Sequence, residues 1–122
     1  MRALNRTFAA VFASATLVAP AFAHHGWSEY DQSQALTLKG TIRASVYENP
    51  HATLVLDSGG RTYNVILAPV SRMQARGASK DSVAVGKVVT VVAYPNRDKP
   101  GEVRAERILV EDGGAENAVE LR

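Results

Sequence analysis

The chain has three histidines, and their placement suggests chemistry: His24 and His25 are adjacent, and His51 follows Asn49-Pro50. If proteolysis cuts between Ala23 and His24, His24 gains a terminal amine beside its imidazole, and the two nitrogens can close a chelate ring on one metal ion. A terminal amine titrates near ~7.7–8, so unlike a lysine it yields its proton to a metal at neutral pH. One further imidazole, from His25 or His51, completes the nitrogen-rich planar set that Cu(II) prefers, with Ni(II) and Zn(II) as alternatives. Side chains of adjacent residues in an extended arm point opposite ways, which favours His24 with His51 and leaves His25 as an axial ligand, an outer neighbour or a bystander. A cut one residue earlier, after Phe22, would put a histidine third in Ala23-His24-His25, another strong terminal chelate for Cu(II) or Ni(II). The competing account is plain: a solvated terminus, with His51 hydrogen-bonded to the backbone of its turn.

A second constellation is aromatic. Tyr47, Tyr63 and Tyr94 with Arg43 and Arg61 are the residue types that stack on a base or a sugar across a barrel face; such tyrosines also serve simply to pack strand surfaces. The acidic pairs Glu29 with Asp31 and Glu111 with Asp112 lack the apolar surroundings that tune a carboxyl for general acid work, and read as solvated. Ser71 has no triad context, and neither a Gly-x-Ser-x-Gly elbow nor a phosphate-cradling glycine loop occurs. The expectation is a protein that is not an enzyme.

The first 23 residues bear on where this chemistry takes place. Arg2 and Arg6 precede an apolar run from Phe8 to Val18 that is short for a bilayer span, Pro20 breaks it, and Ala21-Phe22-Ala23 offers the small residues signal peptidase requires. The chain is therefore expected to be exported by a cleaved leader, with no stable membrane insertion afterwards. Two of the 14 Lys+Arg leave with the leader, so the mature chain balances 12 basic against 12 acidic residues. That balance argues against a nucleic-acid partner, which would require a basic stripe. Cysteine is absent, so disulfides, thiol redox chemistry and thiolate metal sites are excluded and hydrophobic burial must hold the fold. About 99 residues remain, enough for one small core.

The elements that must position these residues are strands. Leu36, Leu38, Gly40, Ile42, Ala44 and Val46 alternate with polar residues, a long half-buried strand that Gly40 allows to bend strongly. Asn49-Pro50 ends it. A second strand is expected over about His51 to Asp57, a hairpin turn at "DSGGR", and a third strand over about Arg61 to Leu67. Val70 and Met73, with Pro69 before them and Gly77 after, predict a short helix from about Pro69 to Arg76. Strands follow at about Lys87 to Tyr94 and Glu102 to Val110, and "EDGGAENAVELR" reads as polar. The organisation is a signal peptide at 1–23, an arm at 24–35, a barrel domain at 36–112 and a polar tail at 113–122. Five strands with a helix between the third and fourth is the order of a Greek-key barrel of the oligonucleotide/oligosaccharide-binding type, with a two-sheet sandwich as its rival.

"HHGWSEYD" at 24–31, "LKGTI" at 38–42, "ENPH" at 48–51, "RGASKDSVAVGKVVTV" at 76–91 and "RAERILVEDG" at 104–113 together resemble a family of small secreted bacterial proteins of unknown function. Its members begin the mature chain with two histidines, run on to Tyr-Asp, and carry Asn-Pro-His after the first strand. The resemblance implies an exported, hence periplasmic, single domain, and implies no reaction. Two departures stand out: Gly26-Trp27 replaces a more usual Ser-Phe, and Ala78 follows Gly77 where an aromatic is expected, thinning the packing beside the helix. The functional expectation is a periplasmic barrel that binds copper through His24, His25 and His51. The alternative is a protein- or glycan-binding module of the cell envelope using Tyr47, Tyr63 and Arg43.

Overall fold

In a computed structural model the structure describes residues 26–122. The expected leader and its expected cleavage site, with His24 and His25, lie outside the described residues. The elements are β1 (Leu36–Val46), β2 (Thr53–Ser58), β3 (Arg61–Ile66), α1 (Val70–Ala75), β4 (Val88–Pro95), β5 (Glu102–Asp112) and β6 (Ala115–Glu120), with 3-10 turns at Trp27–Glu29 and Asp81–Val83. The strand order is β3-β2-β1-β4-β5-β6, and a parallel pairing of β3 with β5 closes the first five strands into the expected Greek-key barrel.

β1 makes the closure possible. Its first half pairs with β4 from Leu36 to Thr41 and its second half with β2 from Thr41 to Val46, so one strand serves both sides of the barrel. The handover falls at Gly40, where an added Cβ would stand 2.1 Å from the Asp57 carbonyl oxygen. Only glycine lets the two backbones approach this closely. Hydrophobic burial then fills the inside with Ile42, Leu54, Leu56, Val65, Val89, Val91, Val103 and Ile108, all nearly inaccessible to water. α1 closes the barrel with Met73, fully buried, and ends at Gly77, whose φ of 91° stops the helix as its position in the sequence anticipated.

Two expectations about the strands are corrected. A bulge between Ile42 and Ala44 shifts the alternation of β1 by one residue, so Val46, expected inside, is 48% exposed, and Tyr47 packs against the core in its place. The residues read as a polar tail form β6, paired with β5 from Arg107↔Glu120 to Asp112↔Ala115. β3 covers only Glu102 to Arg104 of the edge of β5, which leaves the rest of that edge to β6. Val119 and Leu121, 3% and 1% exposed, fasten it to the core. Ala78, where a thinner packing was expected, is fully buried, and its carbonyl accepts the Tyr47 hydroxyl at 2.5 Å. Among the described residues no helix is long and apolar enough to cross a membrane.

Candidate functional site

The arm is built into the barrel. The Asp31 N–H donates to Pro95 O at 2.8 Å, the Arg97 N–H donates to Glu29 O at 2.9 Å, and Tyr30 forms an isolated antiparallel bridge with Asn96, so the arm extends the end of β4. Tyr30 is 2% exposed, and its hydroxyl donates to Glu102 Oε2 at 3.0 Å, an oxygen that also accepts Asn96 Nδ2 at 2.8 Å. Burial first, then the bond to the Glu102 carboxylate, push the Tyr30 phenol up to about 12. Asp31 turns the chain toward β1: its carboxylate accepts the Ser33 hydroxyl at 2.6 Å, the Ser33 N–H at 3.1 Å and Gln34 Nε2 at 2.9 Å. The bonds from Ser33 hold its carboxyl below the usual range. The Tyr-Asp pair therefore does two jobs, anchoring the arm and folding it back.

Trp27, the single tryptophan of the chain, lies further toward the N-terminus. The Arg104 guanidinium stands 4.4 Å from its ring centroid and that of Arg122 4.5 Å, while Tyr94 meets it edge-on at 6.1 Å. Arg104 is 8% exposed, and burial above all lowers its pKa, with Arg72 and Arg122 adding to the effect and the charge of Glu29 opposing it. Arg122 also donates to Gln32 Oε1 at 2.9 Å and lies 3.7 Å from Glu106. Glu106 in turn accepts the Tyr94 hydroxyl at 2.6 Å, a bond that raises the pKa of that phenol.

His51 is half-buried just before β2. The next residue, Ala52, turns into the core and continues the β2–β3 pairing, its N–H donating to Ala68 O at 2.8 Å. By alternation His51 and Thr53 therefore lie on the outer surface. The register there runs Thr53↔Ile66, Ile66↔Arg104 and Arg104↔Tyr94, a continuous row across β2, β3, β5 and β4. Trp27 covers this row at Arg104, and His51 is two residues along β2 from the other end. Strand spacing and rise put the Cα atoms of Arg104 and His51 about 12 Å apart.

The other expected site residues are not brought onto one face. Tyr47 directs its hydroxyl to Ala78 O, toward the segment after α1. Tyr63 packs partly buried against the core. Arg43, at the bulge, is exposed and pairs with Asp57 at 3.0 Å. The tyrosines beside the arm are Tyr94, one of the aromatic set read from the sequence, and Tyr30, which with Trp27 is the anchor the sequence suggests for the arm; Arg104 and Arg122 beside them were not foreseen. The signal for Arg122 was present in "EDGGAENAVELR", whose Gly113-Gly114 repeats the two positive-φ glycines of the β2–β3 hairpin. Among the described residues there is no group of three or more His, Cys, Asp or Glu able to hold a metal ion.

A family model matches residues 12–104, a span that includes the arm, all three histidines, β1 to β4 and the first three residues of β5. The chain belongs to the DUF6152 family, a family of unknown function. Comparison of this DUF6152 protein with curated proteins gives no match. Among solved structures, it is similar to a crystal structure of a ZRD-deleted mutant of TiaS in complex with agmatine, with a TM-score of 0.52 and 16% identity over 75% of this chain and 27% of that one. At that identity the likeness is one of fold. The DUF6152 chain corresponds to about a quarter of the length of the TiaS chain.

Proposed function

We propose that the processed protein is a periplasmic, non-enzymatic barrel that binds Cu(II) through the terminal amine and imidazole of His24 and the imidazole of His51, with His25 beside them. The supporting observation is the row that joins the arm to His51. The first described side chain of the arm, Trp27, lies over Arg104, and the outer face of the sheet runs from there to Thr53 and His51. Residues 24–26 can span up to ~10 Å when extended, which suits the ~12 Å between Arg104 and His51 once the side chains are counted. The positive charge of Arg104 and Arg122 is offset locally by Glu29 and Glu106, which lowers the cost of bringing a cation to this face.

The test begins with N-terminal sequencing of the exported protein to fix its first residue. Cu(II) titration with EPR then counts the coordinated nitrogens. The expected result is one Cu(II) per chain in a nitrogen-rich set, weakened at least about tenfold in both His24→Ala and His51→Ala. Absence of stoichiometric copper, or unchanged affinity in both variants, defeats the reading. In that event the outer face of β1 to β3 would favour protein or glycan binding, since Val46 stands exposed beside Thr53 and Ile66 there.

A further inference from the structure

Trp27 is not part of the hydrophobic core; it lies half-buried on the outer surface of the sheet. Its partners there come from the barrel: Arg104 from β5 at 4.4 Å from the ring centroid, Arg122 beyond β6 at 4.5 Å, and Tyr94 of β4 edge-on at 6.1 Å. Two of these are held in place by groups other than the tryptophan. The backbone around Arg122 is fixed by α1, with Arg76 Nη1 donating to Glu120 O and Arg122 O at 2.8 Å and Arg72 Nη1 donating to Leu121 O at 3.1 Å. The Tyr94 hydroxyl is fixed by Glu106 at 2.6 Å. The bonds on the Trp27–Glu29 turn itself include one short backbone bond, Arg97 N–H to Glu29 O at 2.9 Å. Two others are long side-chain bonds, Arg97 Nε to Ser28 O at 3.3 Å and Gln32 Nε2 to Trp27 O at 3.4 Å. Tyr30, directly after the turn, is 2% exposed and is the firm end of the segment.

We infer that Arg104, Arg122 and Tyr94 form a binding site for a flat aromatic anion on the outer face of the barrel, and that Trp27 fills it as the chain's own stand-in. Guanidinium planes and an aromatic edge recognise a π-face whatever molecule carries it. The need for negative charge comes from the same turn. Glu29 rides with Trp27, and its charge opposes the lowering of the Arg104 pKa that burial, Arg72 and Arg122 produce. Lifting the turn withdraws ring and carboxylate together and leaves a nearly buried guanidinium short of both. A ligand that takes their place must return both, a ring to stack on and an anion to pair with. From Arg104 the row continues over Ile66 and Thr53, each half-buried, so a ligand longer than one ring system still has a partly apolar floor. The turn is then a strap hinged at Tyr30 and closed in this structure. Because only the open form takes the ligand, apparent affinity falls by the open fraction, ten- to a hundredfold for a form populated at about 1–10%. The inference uses residues from Trp27 onward and is independent of the copper reading.

The test uses the copper-free exported protein with indole-3-acetate, which carries an indole ring and one carboxylate, and with indole-3-acetamide, its neutral counterpart. Trp27 is the single tryptophan, so in protein labelled with heavy nitrogen its indole N–H gives one magnetic-resonance signal and the unlabelled probe gives none. In the parent, saturating indole-3-acetate is expected to move that signal to the position of a solvated indole as the ring is displaced. Calorimetric titration is expected to show binding at least about tenfold tighter in Trp27→Ala than in the parent. In the Trp27→Ala protein the acetamide should bind at least about tenfold more weakly than the acetate. Adding Arg122→Gln, at a side chain 46% exposed, should weaken the acetate about three- to tenfold. Circular dichroism checks the fold of each variant; if Trp27→Ala does not fold, the displacement signal of the parent decides alone. A Trp27 signal that stays in place at saturation, affinity no higher in Trp27→Ala, equal binding of acetate and acetamide, or no binding to either protein overturns the site. None of these outcomes touches copper binding, so the two readings stand or fall separately.

Discussion

Tyr30 shows how one side chain ties function to fold. Its ring is among the largest fully buried side chains, yet its hydroxyl must find a partner, and Glu102 Oε2 supplies it at 3.0 Å. Removing the hydroxyl in Tyr30→Phe leaves Glu102 with Asn96 as its remaining donor and is expected to cost about 1 kcal/mol in urea unfolding at pH 8. The same contact has a pH signature. The fold raises the phenol from 10.0 to about 12, so it favours the protonated form. That contribution is fully present below the unfolded value and is lost as pH climbs through the folded one. The parent protein should therefore lose part of its stability between pH 10 and pH 12, while Tyr30→Phe lacks this component and the gap between the two narrows. Unfolding curves at stepped pH, with absorbance at 295 nm to follow phenolate formation, check both statements; a gap that stays constant over the window would show that Tyr30 titrates normally.

The strands show which features of the sequence were legible and which were overridden. Alternation gave β2 and β3 with the correct inner faces, Leu54, Leu56 and Val65, because each is short and half-buried. In β1 the same rule placed Val46 inside, and a single inserted residue at the bulge reversed it; no side-chain type announces a bulge, since the extra residue is a matter of how two backbones register. β6 escaped for a different reason. Its outward residues are Ala, Glu and Asn, so composition reads as solvent-facing tail, and only Val119 and Leu121 carry the apolar signal, too few to count as a period. The glycine pair at 113–114 was the better clue, because the φ values of 59° and 84° are those of a two-residue hairpin turn. Leu121→Ala separates a strand from a tail by measurement. A fully buried leucine should cost about 3 kcal/mol in chemical denaturation, where a tail residue would cost nothing measurable.

At the scale of the whole molecule, the histidine positions made a terminal chelate conceivable, but nothing in the spacing of residues 24 to 51 could say that the arm and the start of β2 share a face. That follows from closure: β3 pairs with β5 in parallel, which puts Ile66 between Thr53 and Arg104 and so sets the residue beneath Trp27 in one row with the start of β2. A ligand held by both the arm and β2 would cross-link the barrel at this seam, and its binding energy would add to global stability through linkage. The terminal amine makes that prediction selective. With His24 first, Cu(II) at one hundred times its dissociation constant should stabilise the protein by about 2.7 kcal/mol, a shift of roughly 10–20 °C in Tm for a domain of this size. Acetylating the His24 amine removes it from the chelate ring while leaving all three imidazoles and the whole barrel in place. Scanning calorimetry of the two forms should then show equal Tm values without copper, and a copper-induced rise much larger in the His24-first protein. Equal rises in both would assign the stabilisation to imidazoles alone and take the amine out of the site.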